Sequence, residues 1–137
     1  MMTDAEYDKL KDKIRALAEK WVKPLGLNQW KIDLTYKREG LATTEDNARE
    51  NWGVAARTPV LWQYLSASIE FNMPYLAEFS DEDLEYIFVH ELMHIFLNEM
   101  REEGIKHEER TATTLAWAFI WLRAHCEKKP DDQLGET

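Results

Sequence analysis

The sequence predicts an α+β fold: an amino-terminal helix, a small, largely antiparallel three-stranded sheet, a buried helix and a second, carboxy-terminal helix. Three observations carry that prediction. Residues 4–23 repeat their apolar side chains at helical spacing, and two longer apolar stretches follow after residue 80. Between them, residues 30–37 and 64–72 alternate apolar and polar with the period of a strand. The chain has 137 residues, enough for one domain with one core, so these elements must pack on each other.

The first helix runs from Asp4 to Lys23, with Leu10, Ile14, Leu17 and Trp21 on one face. Pro24 and Gly26 stop it. Trp30 to Lys37 alternates strictly and reads as a strand with one buried face. Residues 38–51 are polar and without period, which predicts a loop and a candidate lid. Trp52 to Thr58 is expected to be a short strand ended by Pro59. Tyr64 to Asn72 alternates again, with Leu65, Ala67, Ile69 and Phe71 on one side and Pro74 beyond. Ser80 caps the next helix, and Asp81, Glu82 and Asp83 suit the positive end of its dipole. That helix is expected to fray near Met100, with a turn over Glu102–Lys106 and a last helix over His107–Cys126. The domain thus spans residues 1–126, followed by a solvated tail at 127–137.

Composition excludes several classes. A net charge of -9 argues against a nucleic-acid partner and against anionic membrane surfaces. The single cysteine, Cys126, rules out an intrachain disulfide. No run of roughly 18 apolar residues marks a membrane span, and the polar start lacks a signal peptide's apolar region. The expectation is a soluble, cytoplasmic protein.

The chemistry lies in Phe88-Val89-His90-Glu91-Leu92-Met93-His94-Ile95-Phe96-Leu97. Residues four apart on a helix share a face, so His90 and His94 can point at one centre. Two imidazoles so placed make half of a tetrahedral zinc site. Glu91 stands about 100° further round, off the ligand face but within reach of a water in the site's open position. A carboxylate there can take that water's proton and pass it to a leaving amine. The surrounding apolar residues predict burial, and buried histidines without partners cost a few kcal/mol each. A metal ion satisfies both at once.

His90-Glu91-Leu92-Met93-His94 resembles the signature of the zincin metallopeptidases. The metzincin extension is missing, since IFLNEMREEG after His94 has no Gly and His at the required offsets. The layout is similar to small, gluzincin-like intracellular and phage-associated zincins of the ImmA/IrrE type, and less closely to SprT-like ones. The resemblance spans about residues 60–122, with only the pentapeptide specific. It implies a zinc ion (Zn2+), a protein or peptide substrate, and a strand, here YLSASIEFN, whose edge receives the substrate as an added strand.

The resemblance also implies a third ligand on the following helix, at His107-Glu108-Glu109-Arg110. On a helical wheel Glu108 shares the inward face with Ala112, Leu115, Phe119 and Leu122, so it ranks first, Glu109 second and His107 third. For Glu108 to reach, the first helix must end early or the turn fold back; two regular helices would set Thr114 level with His94. Oxyanion donors among Tyr64, Tyr75, Tyr86 and His107 stay unranked. Trp117 and Trp121 are expected in the core, and His125-Cys126 at a helix end as structural or exposed. A zinc-stabilised, non-catalytic interaction module, phage or mobile-element encoded, is the alternative to an enzyme.

Overall fold

The computed structural model describes residues 2–41, 54–98 and 107–126. The expected lid over most of 38–51, the turn at 102–106 and the tail at 127–137 lie outside the described residues.

The fold is α+β. Helix α1 (Asp4–Trp21) begins at Thr3, whose hydroxyl accepts from the Glu6 N–H at 3.1 Å while Glu6 accepts from the Thr3 N–H at 2.9 Å. That reciprocal cap fixes the start, and Leu10, Ile14 and Trp21 are buried as the periodicity predicts. Strand β1 (Lys31–Lys37) follows, then β2 (Ala56–Arg57), β3 (Val60–Leu61), a 3-10 turn (Trp62–Tyr64) and β4 (Ser66–Asn72). A single turn, α2 (Met73–Leu76), leads to α3 (Asp81–Phe96), and α4 (Glu108–Cys126) closes the described chain.

The sheet is mixed. Its long pairing, β1 with β4 from Lys31↔Ser66 to Lys37↔Asn72, is parallel, whereas β2 and β3 pair antiparallel with β4. The sequence leads one to expect a largely antiparallel sheet, but alternation is the same in either direction and carries no sign of this parallel pairing. Strand β4 is therefore central, covered on both edges. Among the described residues β1 forms one edge, and β2 and β3 form the other, holding one continuous register: Ala56↔Phe71 and Arg57↔Glu70, then Val60↔Ala67 and Leu61↔Ser66. The break falls at Thr58-Pro59, where proline has no N–H to give. The Pro59 carbonyl still accepts from the Ser68 N–H at 3.0 Å. The expected strand ending at Thr58 thus resumes beyond Pro59.

Ala67, Ile69 and Phe71 are buried on the face toward α3, where Phe71 stacks on Phe88 with centroids 6.0 Å apart. Leu65, expected in that stripe, is exposed because its φ of 49° places it before the extended backbone begins. Ser80 caps α3, its hydroxyl accepting from the Asp83 N–H at 3.1 Å. Phe88, Val89, Leu92 and Met93 are inaccessible, so this helix is the spine of the core. Fully burying each such side chain is worth about 1.5–3 kcal/mol.

The ends of α1 and α4 are tied together. Arg123 lies 5.0 Å over the Trp21 ring and donates to the Lys20 carbonyl at 2.8 Å. Trp21 in turn donates its indole N–H to Glu85 of α3 at 2.7 Å. Along α4 only Ala112 and Ala116 are fully buried. Trp117 and Trp121, expected in the core, are 52% and 59% exposed. The small alanines bring α4 close to α3 and turn the tryptophans outward. No helix among the described residues is long and apolar enough to cross a membrane.

Candidate metal centre

Helix α3 carries His90, Glu91 and His94 into the interior, each under a tenth exposed. Each places one ligand atom within 4.8 Å of the others, and this buried group could hold a metal ion. The two imidazoles meet edge to face, centroids 4.8 Å apart.

Helix α3 ends at Phe96, and the expected fraying near Met100 lies outside the described residues. His107, with a φ of 76°, then turns the chain sharply into α4. Its carbonyl accepts from the Thr111 N–H at 3.0 Å and the Thr111 hydroxyl at 2.9 Å, fixing the first turn. The early end that Glu108 needs is therefore met, and the two adjacent glutamates reach the histidines from different sides.

Glu108 bonds to Nδ1 of His94, and its side chain is only 12% exposed. Glu109, 74% exposed, sets one carboxylate oxygen 2.9 Å from Nε2 of His90 and the other 3.2 Å from Nε2 of His94. The approach to His90 lacks hydrogen-bond alignment, so that buried Nε2 has no hydrogen-bond partner. A buried lone pair or N–H left so is costly. His107, the third candidate, is exposed and contributes its backbone.

Glu91 is 5% exposed, yet its carboxylate is partnered. Thr58 donates its hydroxyl to Oε1 at 2.6 Å, and Oε2 lies 3.4 Å from Nδ1 of His90. Burial lowers the affinity of His90 for a proton, but the bond to Glu91 and the charges of Glu91 and Glu109 outweigh it. The imidazole is held above its ordinary pKa.

A cleft of about 540 Å³ opens over these groups. Ala56, Arg57, Thr58 and Pro59 line one wall, with Glu70, Glu91, His94 and Glu109 completing it. Arg57 pairs with Glu70, which leaves His94 in a cleft with an excess of carboxylate. That field suits a cation.

Of the proposed oxyanion donors, Tyr86 touches the centre, stacking on His90 at 5.7 Å and on Trp117 at 4.4 Å. Tyr64 stands 79% exposed on the 3-10 turn, and Tyr75 packs on Phe79. His125 stacks on Trp121 and Cys126 is exposed, as expected of that helix end. Thr58 is the residue sequence reasoning missed. The only signal was its place before a proline, which holds it extended. No protein-family model, curated protein or solved structure matches the chain.

Proposed function

We propose that the chain is a zinc-dependent peptidase, with His90, His94 and Glu109 as ligands and Glu91 as the proton carrier. One observation carries the reading: both Nε2 atoms face a single carboxylate, Glu109, at 2.9 and 3.2 Å. Contacts this short support one ion shared by the carboxylate and the two imidazoles, donors that zinc binds at about 2.0–2.2 Å. An ion held there would give the orphaned Nε2 of His90 the partner it lacks.

Glu108, ranked first from the sequence, takes a different part. Its bond to Nδ1 of His94 fixes that ring's orientation and tautomer, as carboxylates beside metal-binding histidines do. A zinc ion in this site supplies Lewis acidity, polarising a peptide carbonyl and acidifying water. Glu91 faces the cleft from outside the ligand face. It takes the proton that the attacking water gives up and returns it to the leaving nitrogen. The substrate is an extended peptide, laid along the outer edge of the strand segment from Ala56 to Leu61, whose first part, Ala56 to Pro59, walls the cleft.

The test is metal content by mass spectrometry together with cleavage of a mixed peptide pool. One zinc per chain, retained in Glu91→Gln but lost in His94→Ala, with cleavage lost in both, is the expected result. A chain that takes up no zinc sinks the reading. A second reading, a non-catalytic module stabilised by zinc, draws on Glu91 lying close enough to be a fourth protein donor. It requires Glu91→Gln to weaken zinc binding and the wild type to cleave nothing.

A further inference from the structure

We infer that Thr58 is a positioning residue, which aims the Glu91 carboxylate into the cleft. This rests on the peptidase reading and adds a residue that no part of the His-Glu-His pattern contains.

The register explains why a strand residue reaches into α3. Thr58 lies in the interruption between β2 and β3, at the position facing Ile69 in their common register with β4. Residues facing each other across strands share a side of the sheet, and Ile69 is on the side packed against α3. The Thr58 side chain therefore points at the helix and is 4% exposed. Pro59 holds the preceding backbone extended, and the antiparallel pairs on either side pin it in place.

The bond is short and directional. The hydroxyl donates to Oε1 of Glu91 at 2.6 Å, the distance of a charge-assisted bond. The Glu91 carbonyl, at 3.5 Å, is too far to compete for the proton. Being β-branched, Thr58 has few rotamers for its hydroxyl to leave by. Glu91 has three side-chain torsions and two buried histidines close by. Without the hydroxyl its carboxylate would be free to swing toward a cation held by the histidines. With it, one oxygen is anchored to the strand wall and the carboxylate keeps its place beside the substrate.

The test reads the carboxylate's position without needing a known substrate. Acetohydroxamate chelates zinc and, on binding, gives its hydroxyl proton to a neighbouring carboxylate, so its affinity depends on a well-placed Glu91. Zinc-reconstituted wild type, Thr58→Ser, Thr58→Val, Glu91→Gln and the Thr58→Val/Glu91→Gln double variant are titrated calorimetrically, with zinc content measured on each. The expected result is one zinc per chain throughout. Acetohydroxamate binds about tenfold more weakly to Thr58→Val and to Glu91→Gln. Thr58→Ser keeps wild-type affinity, and the double variant is no weaker than Glu91→Gln alone, because Thr58 acts through Glu91.

Thr58→Val binding like wild type, beside a weakened Glu91→Gln, overturns the role of Thr58 and leaves the peptidase reading standing. A wild type that takes up no zinc overturns both. Thr58→Ala removes the hydroxyl with a smaller side chain, and supplies the same comparison should valine prevent folding.

Discussion

Glu108 meets His94 at Nδ1, while Glu109, its neighbour in sequence, lies against Nε2 of the same ring. Two consecutive residues on one helix thus take opposite sides of one imidazole. Glutamine at each position separates their parts. Glu109→Gln is expected to abolish stoichiometric zinc at micromolar protein. Glu108→Gln is expected to weaken zinc by about 10–100-fold while keeping one ion per chain at saturation. Competition with a coloured chelator measures both, and the reverse ranking would restore Glu108 as the ligand.

The raised pKa of His90 gives opposite pH dependences with and without metal. In the metal-free protein the folded state holds the proton more tightly than the unfolded chain does. The stability this adds is fully present below the ordinary histidine value and disappears as pH rises through the higher folded value. Zinc requires the neutral ring, so its affinity falls as pH drops through that same elevated value. Denaturant midpoints against pH should therefore show the acid-side gain in metal-free wild type and not in metal-free His90→Gln.

Phe88 has no accessible surface and stacks on Phe71 across the helix–sheet interface. Phe88→Ala should cost about 3–5 kcal/mol, combining lost burial with the cavity left behind. Urea unfolding of the metal-free protein checks it; a loss under 1 kcal/mol would mean that α3 does not pack on β4 as described.

Gly40 has a φ of +91°, and a Cβ there would meet Oδ1 of Asn72 at 3.3 Å. Asn72 is itself committed, donating to the Val54 carbonyl at 2.8 Å and capping α2. Gly40→Ala should cost about 1–2 kcal/mol from backbone strain alone. A melting temperature equal to wild type would refute this.

The exposed tryptophans of α4 should differ. Trp117 stacks on Tyr86 of the neighbouring helix, whereas Trp121 stacks on His125 of its own. Trp117→Ala is expected to lose about 0.5–1.5 kcal/mol, and Trp121→Ala less, because only the first contact joins two elements. Equal thermal shifts for the two variants would contradict it.

His90, Glu91 and His94 were legible because helical spacing alone decides that the first and last share a face. The choice between Glu108 and Glu109 was harder for a physical reason. A helical wheel identifies the inward residue, and Glu108 is indeed the more buried. Glu109, the more exposed of the two, nevertheless lies against Nε2 of both histidines, and that contact is what the proposed ligand set rests on. The α+β class followed from the order of periodicities. The parallel direction of β1 did not, since alternating burial carries no sign of direction. Trp117 and Trp121 were misjudged because the apolar character of their helix suggested the core, while Ala112 and Ala116 are the residues it buries. Thr58 was invisible because its partner is 33 residues away, reached only through strand register.

Helix α4 is held at both ends: Arg123 grips the end of α1 through Trp21 and the Lys20 carbonyl, and Glu108 grips His94. In mechanical terms it is a strut roughly 28 Å long, pinned at each end. A strut passes load along its axis instead of flexing. The amino-terminal helix is thereby joined, through one rigid element, to the carboxylate that holds His94, and so belongs to the frame on which the site is built.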